Sequence, residues 1–528
     1  MSKLRGMRGI LASSIGVTCA AALTLPLAPP ATASAERPAP TAGAATRAAV
    51  TAESDVPGST RSLPLRALPR DRVSGAAVFG LAPRVVRHFS LLGVVWDDPA
   101  AELHGHVRVR TRSAATGAWS GWQDVEAHNA DHGADPTTGD GGAGPVRGAT
   151  APLWVGPSDA VEVRVAAEVP ESPEPSEPPA STASTASTGA PHETASAGAR
   201  PEEDDIPLPD GLRLELVDPG TAEPLPSDPA DAARTGGMSA EATATSTANA
   251  GLAPLGALEI PELTHEQTVR EYLALQGVEE AEGAEPAAPA GSGEPAAPAG
   301  PGEPTAPAGP AAPAGPAAPA GQQRAKPYIG PRPAIVTRRG WGADESLREK
   351  RFVYTKKVKA AFVHHTATGN NYTCAQAPSL IRGIYRYHVR SLGWRDVGYN
   401  FLIDKCGRIY EGRAGGVAKP VLGAHTLGFN SDTMGIAVLG SYGSKKPSAS
   451  AVKAIARLTA WKLGLHGMNP RAKTYLKSAG GNLHRKGKKV RLNVISGHRD
   501  GFNTACPGGK LYGKLGSART TAARYQGR

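Results

Sequence analysis

Two stretches near the C-terminus carry residue types that can hold a metal ion. Ala361-Phe362-Val363-His364-His365-Thr366 reads as an apolar strand that breaks off at a His pair. On a strand, Phe362 and His364 share one face, and Val363 and His365 share the other. Gly497-His498-Arg499-Asp500-Gly501-Phe502-Asn503-Thr504-Ala505-Cys506-Pro507 reads as an irregular loop, punctuated by Gly and Pro, that delivers a His and a Cys. Together the two stretches offer His, His and Cys to one ion. Catalytic zinc is held by three protein ligands with the fourth position open, whereas structural zinc is closed by four. Zinc so held lowers the pKa of a bound water toward ~7 and polarises a carbonyl, which suits hydrolysis of an amide. Spacing alone leaves a plainer reading open, a core histidine and a buried small cysteine. Ligands from distant segments match no local finger pattern.

The surrounding residues add a resemblance. The relevant stretches are Ile335-Val336-Thr337-Arg338-Arg339-Gly340-Trp341-Gly342-Ala343, the His-His-Thr strand, Gly398-Tyr399-Asn400-Phe401, Tyr410-Glu411-Gly412-Arg413, Gly423-Ala424-His425-Thr426 and the final His-to-Cys loop. Through them the chain from Pro333 to about Lys514 resembles the peptidoglycan recognition proteins and the related phage-lysozyme-type amidases (amidase type 2). These are zinc-dependent N-acetylmuramoyl-L-alanine amidases. The resemblance implies an α/β domain with a mixed central sheet flanked by helices. It implies Zn2+ held by His364, His498 and Cys506, with Tyr399 as the catalytic tyrosine. Thr504 falls where relatives carry Thr or Lys facing the scissile bond, so a supporting hydrogen bond is expected from it. His365, Thr366, His388, Gly393, Trp394, Arg413 and His425 are expected along the substrate groove.

In that family a Gly-Trp pair at the Gly393-Trp394 position accompanies diaminopimelate-type stem peptides, which carry one more carboxylate than lysine-type stems. Arg413 would receive that carboxylate as a bidentate pair, with Gly393 leaving space and Trp394 forming an apolar wall. Spacing alone favours the plainer reading, Arg413 as one of many basic surface residues and Gly393-Trp394 as a turn. Asp500 either orients His498 as an outer acceptor or pairs with Arg499 at the surface. A complete ligand trio with its tyrosine points to a peptidoglycan amidase. The alternative is a non-catalytic peptidoglycan-binding protein using the same groove. Structural zinc in a nucleic-acid-binding domain fits the charge but not the open three-ligand set, so no nucleic acid is expected as partner.

The elements that must position these residues are visible as periodicities. Ile381, Ile384, Tyr385 and His388 recur at helical spacing within Pro378–Arg390, and Ala451, Val452, Ile455, Leu458 and Thr459 mark a second helix ending near Gly464. Asn400–Ile403 and Met434–Leu439 are short apolar strand runs. Strands alternating with helices predict a sheet with helices packed on it.

Upstream, residues 1–35 carry Lys3, Arg5 and Arg8, an apolar run from Ile10 to Leu27 and a small-residue cleavage site, the pattern of a secretory signal peptide. No later stretch predicts a transmembrane segment. The protein is therefore expected to be secreted, and Cys19 to leave with the signal. Cys374, Cys406 and Cys506 then remain. If Cys506 is a metal ligand, Cys374 and Cys406 are left to form a disulfide, two free buried thiols being the alternative.

Residues 36–75 are Ala/Pro/Thr-rich and expected to be disordered. Alternating apolar residues predict an all-β, sandwich-like module over 76–218, interrupted by a disordered insert at 169–207. Trp119-Ser120-Gly121-Trp122 lies in this module, and His104, His106 and His128 read as ordinary surface histidines. Residues 219–330 form a linker, with one helix expected at Thr264–Leu275 behind a Thr264/Gln267 capping box, then Ala-Pro-Ala-Gly units. The catalytic domain spans 331–515 and a tail follows to 528. Residues 331–528 hold 36 Lys and Arg against 8 Asp and Glu, a net of +28 in a chain whose overall charge is +10. A basic exported domain is drawn to polyanions, here an anionic cell wall. A monomer is expected.

Overall fold

The computed structural model describes residues 58–69, 77–127, 133–135, 145–168, 207–221, 238–275 and 327–528. The signal stretch, the Ala-Pro-Ala-Gly units, His128 and nearly all of the 169–207 insert lie outside the described residues.

The N-terminal module is all-β. Its strands are β1 (Ser59–Pro64), β2 (Arg66–Leu68), β3 (Val78–Trp96), β4 (Gly105–Ser113), β5 (Gln123–Val125), β6 (Gly148–Ala149), β7 (Leu153–Ala167) and β8 (Arg213–Asp218). They form one antiparallel sheet in the order β1-β8-β3-β7-β4-β5, with β2 and β6 also on β3. The period-2 pattern carries the burial: Val107, Val109 and Thr111 of β4 point inward while His106 and Arg108 face out. Register shifts between β3 and β7 bend these two long strands, and Phe89, Trp96, Val109, Val163 and Leu214 meet in one core. The sheet begins at Ser59, inside the 36–75 stretch expected to be disordered. β1 is an edge strand in which Leu63 alone is buried, so it has no alternation to read.

The second sheet is mixed. It contains β9 (Glu259–Ile260), β10 (Ile335–Val336), β11 (Ala360–His365), β12 (Phe401–Ile403), β13 (Ile409–Glu411), β14 (Thr433–Val438) and β17 (Ile495–Gly497), in the order β17-β11-β14-β12-β13-β10-β9. β15 (Lys473–Lys477) and β16 (Lys489–Asn493) form a separate hairpin. The helices are α1 (Ala240–Thr247), α2 (His265–Leu275), α3 (Ala377–Arg386), α4 (Ala449–Leu465), α5 (Gly509–Tyr512) and α6 (Leu515–Tyr525). Residues of α4, α6 and the sheet form one core, with Ile455, Trp461, Ala518 and Val363 among its buried members, so residues 516–528 are part of the domain and not the expected tail. Helix α4 starts on Ser448, whose hydroxyl accepts from the Ala451 N–H. It runs just past Gly464, whose missing Cβ makes room for Ile329. Helix α3 carries Pro378 in its first turn and opens into a wider π-type turn at Tyr387–Ser391. A disulfide joins Cys374 and Cys406, 6.2 Å apart at Cα, and ties the start of α3 to the β12–β13 turn.

The 219–330 linker expectation needs correction. Helix α2 begins on the expected capping box, with Thr264 N–H donating to Gln267 and Gln267 N–H to Thr264. But α1, β9 and the chain between them also belong to the domain of the mixed sheet. β9 pairs with β10, Asn249 Nδ2 donates to Glu411 Oε1 at 2.9 Å, and Arg348 donates to Thr245 at 2.8 Å. Helix α1 is Ala/Thr-rich and anchored by polar groups, so it offers no apolar stripe to find.

The module and the domain share a core. Leu91, Val95, Ala149, Trp154 and Val217 cluster with Ile381, Ile384, Tyr387 and Leu392. Tyr387 donates to the Thr150 carbonyl at 3.1 Å, and Ser391 to Glu215 at 2.9 Å.

Candidate metal centre

β11 is the parallel partner of both β14 and β17, so the His pair and the His-to-Cys loop leave the sheet at the same edge. The alternation read from the sequence holds. Phe362 and His364 both lie against the His425 ring, at 6.2 and 5.3 Å between centroids, whereas Val363 enters the core on the other face. His498 opens a short 3-10 turn directly after β17, and Cys506 follows on the same loop. His364, His498 and Cys506 are all buried, and their ligand atoms lie within 4.8 Å of one another. Cys506 Sγ sits 3.8 Å from His364 Nδ1, and the His364 and His498 rings are 4.5 Å apart.

Two imidazoles and one thiol within reach of a single ion form a borderline-soft donor set, which suits zinc and not a hard cation that wants oxygen. The outer contacts agree. With Nδ1 on the Cys506 side, His364 turns Nε2 toward the Thr426 hydroxyl at 3.4 Å. That is the place for the acceptor that fixes a ligating imidazole's tautomer. The His365 backbone N–H donates to Cys506 Sγ at 3.5 Å, and the Cys506 N–H donates to Thr504 Oγ1 at 3.1 Å.

Tyr399, 4% exposed, stands beside the trio with its ring 5.5 Å from His364 and 5.7 Å from His388. Thr504 is partly exposed on the ligand loop and braces Cys506. The Asp500 carboxylate accepts from the Gly497 N–H at 2.9 Å and from Tyr512 at 2.6 Å, so it caps the turn that carries His498.

The expected groove residues divide. His388 and Trp394 are buried against each other with rings 4.4 Å apart, and His388 Nδ1 accepts from the Gly398 N–H at 3.1 Å. Thr366 is a strand-end brace, accepting from the Gly440 N–H at 2.9 Å. His425 is fully buried against His364, with Nδ1 3.0 Å from the Thr426 hydroxyl. Arg413 is also buried, 7% exposed, and donates to the carbonyls of Val397 and Leu422 at 3.0 and 3.1 Å. It is no ordinary surface cation. Gly393 does not leave open space: a Cβ there would stand 2.6 Å from the Pro145 carbonyl oxygen of the N-terminal module.

The N-terminal module thus reaches the site, which the sequence reading missed. Arg147 N–H donates to the Leu392 carbonyl at 3.2 Å and Trp154 N–H to the Thr368 carbonyl at 3.1 Å. Glu126 Oε1 lies 3.6 Å from His365 Nε2, and His365 Nδ1 accepts from the Tyr442 N–H at 3.3 Å. Asp135 enters the loop at 428–430. These acids sit in a stretch with no periodicity, and only the docked fold brings them here.

Fold and site together define an α/β domain with a buried His-His-Cys trio, able to hold a metal ion, at the end of a mixed sheet. Comparison with known proteins gives the family. Residues 354–509 match the family described as N-acetylmuramoyl-L-alanine amidase, and residues 41–191 match the Rv3811 N-terminal galactose-binding domain-like family. Peptidoglycan-recognition protein SC2 of Drosophila simulans is 30% identical over 34% of this chain and 84% of its own length. Peptidoglycan recognition protein 1 of Bos indicus is 33% identical over 34% of this chain and 80% of its own. Among solved structures, wild-type Drosophila PGRP-LB is 25% identical, with 35% of this chain and 92% of that one covered at a TM-score of 0.28. The chain belongs to the peptidoglycan recognition protein and type 2 amidase family.

Proposed function

We propose that this protein is a secreted, zinc-dependent N-acetylmuramoyl-L-alanine amidase acting on peptidoglycan. The observation that carries the reading is the convergence of His364, His498 and Cys506 within 4.8 Å, with Tyr399 against His364. Zinc, when bound by that trio, would supply an acidified water and a polarised carbonyl. In the reaction the water oxygen adds to the acyl carbon on the N-acetylmuramic acid side. The C–N bond then breaks, and a proton passes to the L-alanine nitrogen. Tyr399, whose ring lies 5.5 Å from that of His364, would donate its O–H to the oxygen that gains charge, a contribution of about a few kcal/mol when preorganised. Thr504 Oγ1 holds the Cys506 backbone N–H, the His365 N–H holds Cys506 Sγ, and Thr426 holds His364.

Family membership supports peptidoglycan as the substrate class, and the disulfide between Cys374 and Cys406 supports an oxidising compartment. Among the described residues no helix is long and apolar enough to cross a membrane. The +28 charge of residues 331–528 favours an anionic wall as the setting. For the stem, we keep the diaminopimelate type. It now rests on Arg413 and Trp394, since Pro145 occupies the space at Gly393.

The test is incubation of the purified protein with diaminopimelate-type and lysine-type peptidoglycan, with and without a chelator. Stem peptides with a new N-terminal L-alanine should appear, faster from the diaminopimelate type. The chelator should stop their release and added zinc restore it. Undiminished cleavage under chelation overturns the metal reading. Tight binding without stem release replaces the amidase with a binding protein.

A further inference from the structure

The ligand His364 is braced by a chain of contacts that begins in the other module. Asp135 is 1% exposed. Its carboxylate accepts from the Gly428 N–H at 2.5 Å, the Asn430 N–H at 3.3 Å and Asn430 Nδ2 at 3.1 Å. Asn430 Oδ1 in turn accepts from the N–H groups of His425 and Thr426, at 2.7 and 3.0 Å. Those two residues carry the groups that touch His364. The Thr426 hydroxyl lies 3.4 Å from His364 Nε2, and the His425 ring meets the His364 ring edge-on at 5.3 Å.

We propose that Asp135 is a positioning residue for the metal site, so that the N-terminal module helps to set the affinity of the zinc centre. This inference rests on the zinc reading above. The physical reason is reciprocal. A buried carboxylate is costly unless donors surround it, and Gly428 and Asn430 supply three of them here. Without Asp135 the Gly428 and Asn430 N–H groups lose this acceptor and Asn430 Nδ2 keeps the Gly133 carbonyl at 3.1 Å, so the loop and the carboxylate hold one another in place. Asn430 cannot keep its side-chain oxygen on His425 and Thr426 if its backbone is released. The Thr426 hydroxyl then loses its fixed position against His364 Nε2. The dock is not a transient touch, because Leu91, Val95 and Trp154 of the module lie in one core with Ile381, Ile384 and Tyr387 of the domain.

The experiment uses the full chain. Zinc affinity is measured by competition with a chromophoric chelator for wild type, Asp135→Ala, Asp135→Asn and Glu215→Gln. Glu215, 2% exposed, accepts from Ser391 at the same inter-module boundary but stands outside the chain of contacts to His364, so it controls for weakened docking alone. Loss of an outer partner of a metal ligand typically costs about 10–100-fold in metal affinity. Asp135→Ala should show a loss in that range, Asp135→Asn a smaller one, and Glu215→Gln a lower melting temperature with zinc affinity unchanged. If Asp135→Ala does not fold, Asp135→Asn, which keeps the shape, decides. Zinc affinity within twofold of wild type in the folded Asp135 variants overturns the proposal while leaving the amidase reading intact. Equal losses in Glu215→Gln and Asp135→Ala also overturn it, because docking alone would then account for them. A wild-type protein that binds no zinc removes the amidase reading itself.

Discussion

Gly393 separates two accounts of this site, one in which it serves the stem peptide and one in which it serves the docking of the modules. Its φ is +78°, and a Cβ added there would meet the Pro145 oxygen at 2.6 Å and the Pro145 carbonyl carbon at 3.3 Å. Gly393→Ala therefore has two costs. The left-handed backbone costs an L-residue about 1–2 kcal/mol. Forcing a methyl into filled space adds roughly 1–3 kcal/mol, because residues 145–147 must shift and the Arg147-to-Leu392 bond beside them is disturbed. Gly487→Ala isolates the first cost, since Gly487 has φ +87° with nothing within 4 Å of its would-be Cβ. The two variants should differ by about 2 kcal/mol, equivalent to roughly 4–8 °C in melting temperature for a unit of this size class. Thermal unfolding of the two variants and wild type, followed by fluorescence, reads this directly. Equal melting of the two variants, with a changed ratio of diaminopimelate to lysine stem hydrolysis in Gly393→Ala alone, would refute the docking account.

The remaining expectations concern the trio and a buried imidazole. Cys506→Ser removes the soft ligand and should strip most zinc on dialysis, whereas Tyr399→Phe should keep its zinc and lose about 10²-fold in turnover. Metal analysis alongside peptidoglycan hydrolysis checks both, and equal zinc in wild type and Cys506→Ser removes Cys506 from the ligand set. At His466, burial, then the charges of Lys462 and Lys357, push the imidazole down from 6.5 to about 3. The folded state then binds fewer protons than the unfolded one between those values, so this site's stability is complete above pH 6.5 and is lost as pH falls toward 3. His466→Gln should show a shallower fall in melting temperature from pH 7 to pH 4 than wild type; parallel curves would show that His466 does not titrate in this way.

What could be read from the sequence was what local chemistry writes there. The His pair ends an apolar strand, the second His and the Cys share one punctuated loop, and a parallel sheet brings strand ends to a common edge. The Thr264/Gln267 box marked the start of α2 because capping is a four-residue affair. Helix α1 was invisible for the opposite reason. Its anchors are Thr245, bonded to Glu345, and the neighbouring Asn249, bonded to Glu411, and such polar partners far along the chain leave no periodicity. Asp135 and Glu126 were invisible in the same way: each is one acid among many until the module docks. His425 and Gly393, expected along the groove, have neighbours that the sequence does not name. His425 lies under a ligand, and Gly393 lies under Pro145.

Helix α3 explains why the docking matters for chemistry. Its apolar positions alternate with Arg382 and Arg386, the pattern of a helix with one face in water. Here both faces are covered. A Cβ at Gly383 would stand 3.2 Å from Leu91, and Arg382 donates to the carbonyls of Pro219 and Gly220 at 3.3 and 3.1 Å and of Trp341 at 2.8 Å. Burial lowers the pKa of both guanidinium groups from their ordinary value, a cost accepted only where carbonyls and carboxylates surround them. A helix closed in on both sides cannot shed the module without exposing an apolar core and losing the Pro219 and Gly220 carbonyls that hold Arg382. On the proposed function, substrate enters with the module in place. The edge it presents at Glu126, Asp135 and Pro145 then belongs to the site as fully as the strand that carries His364.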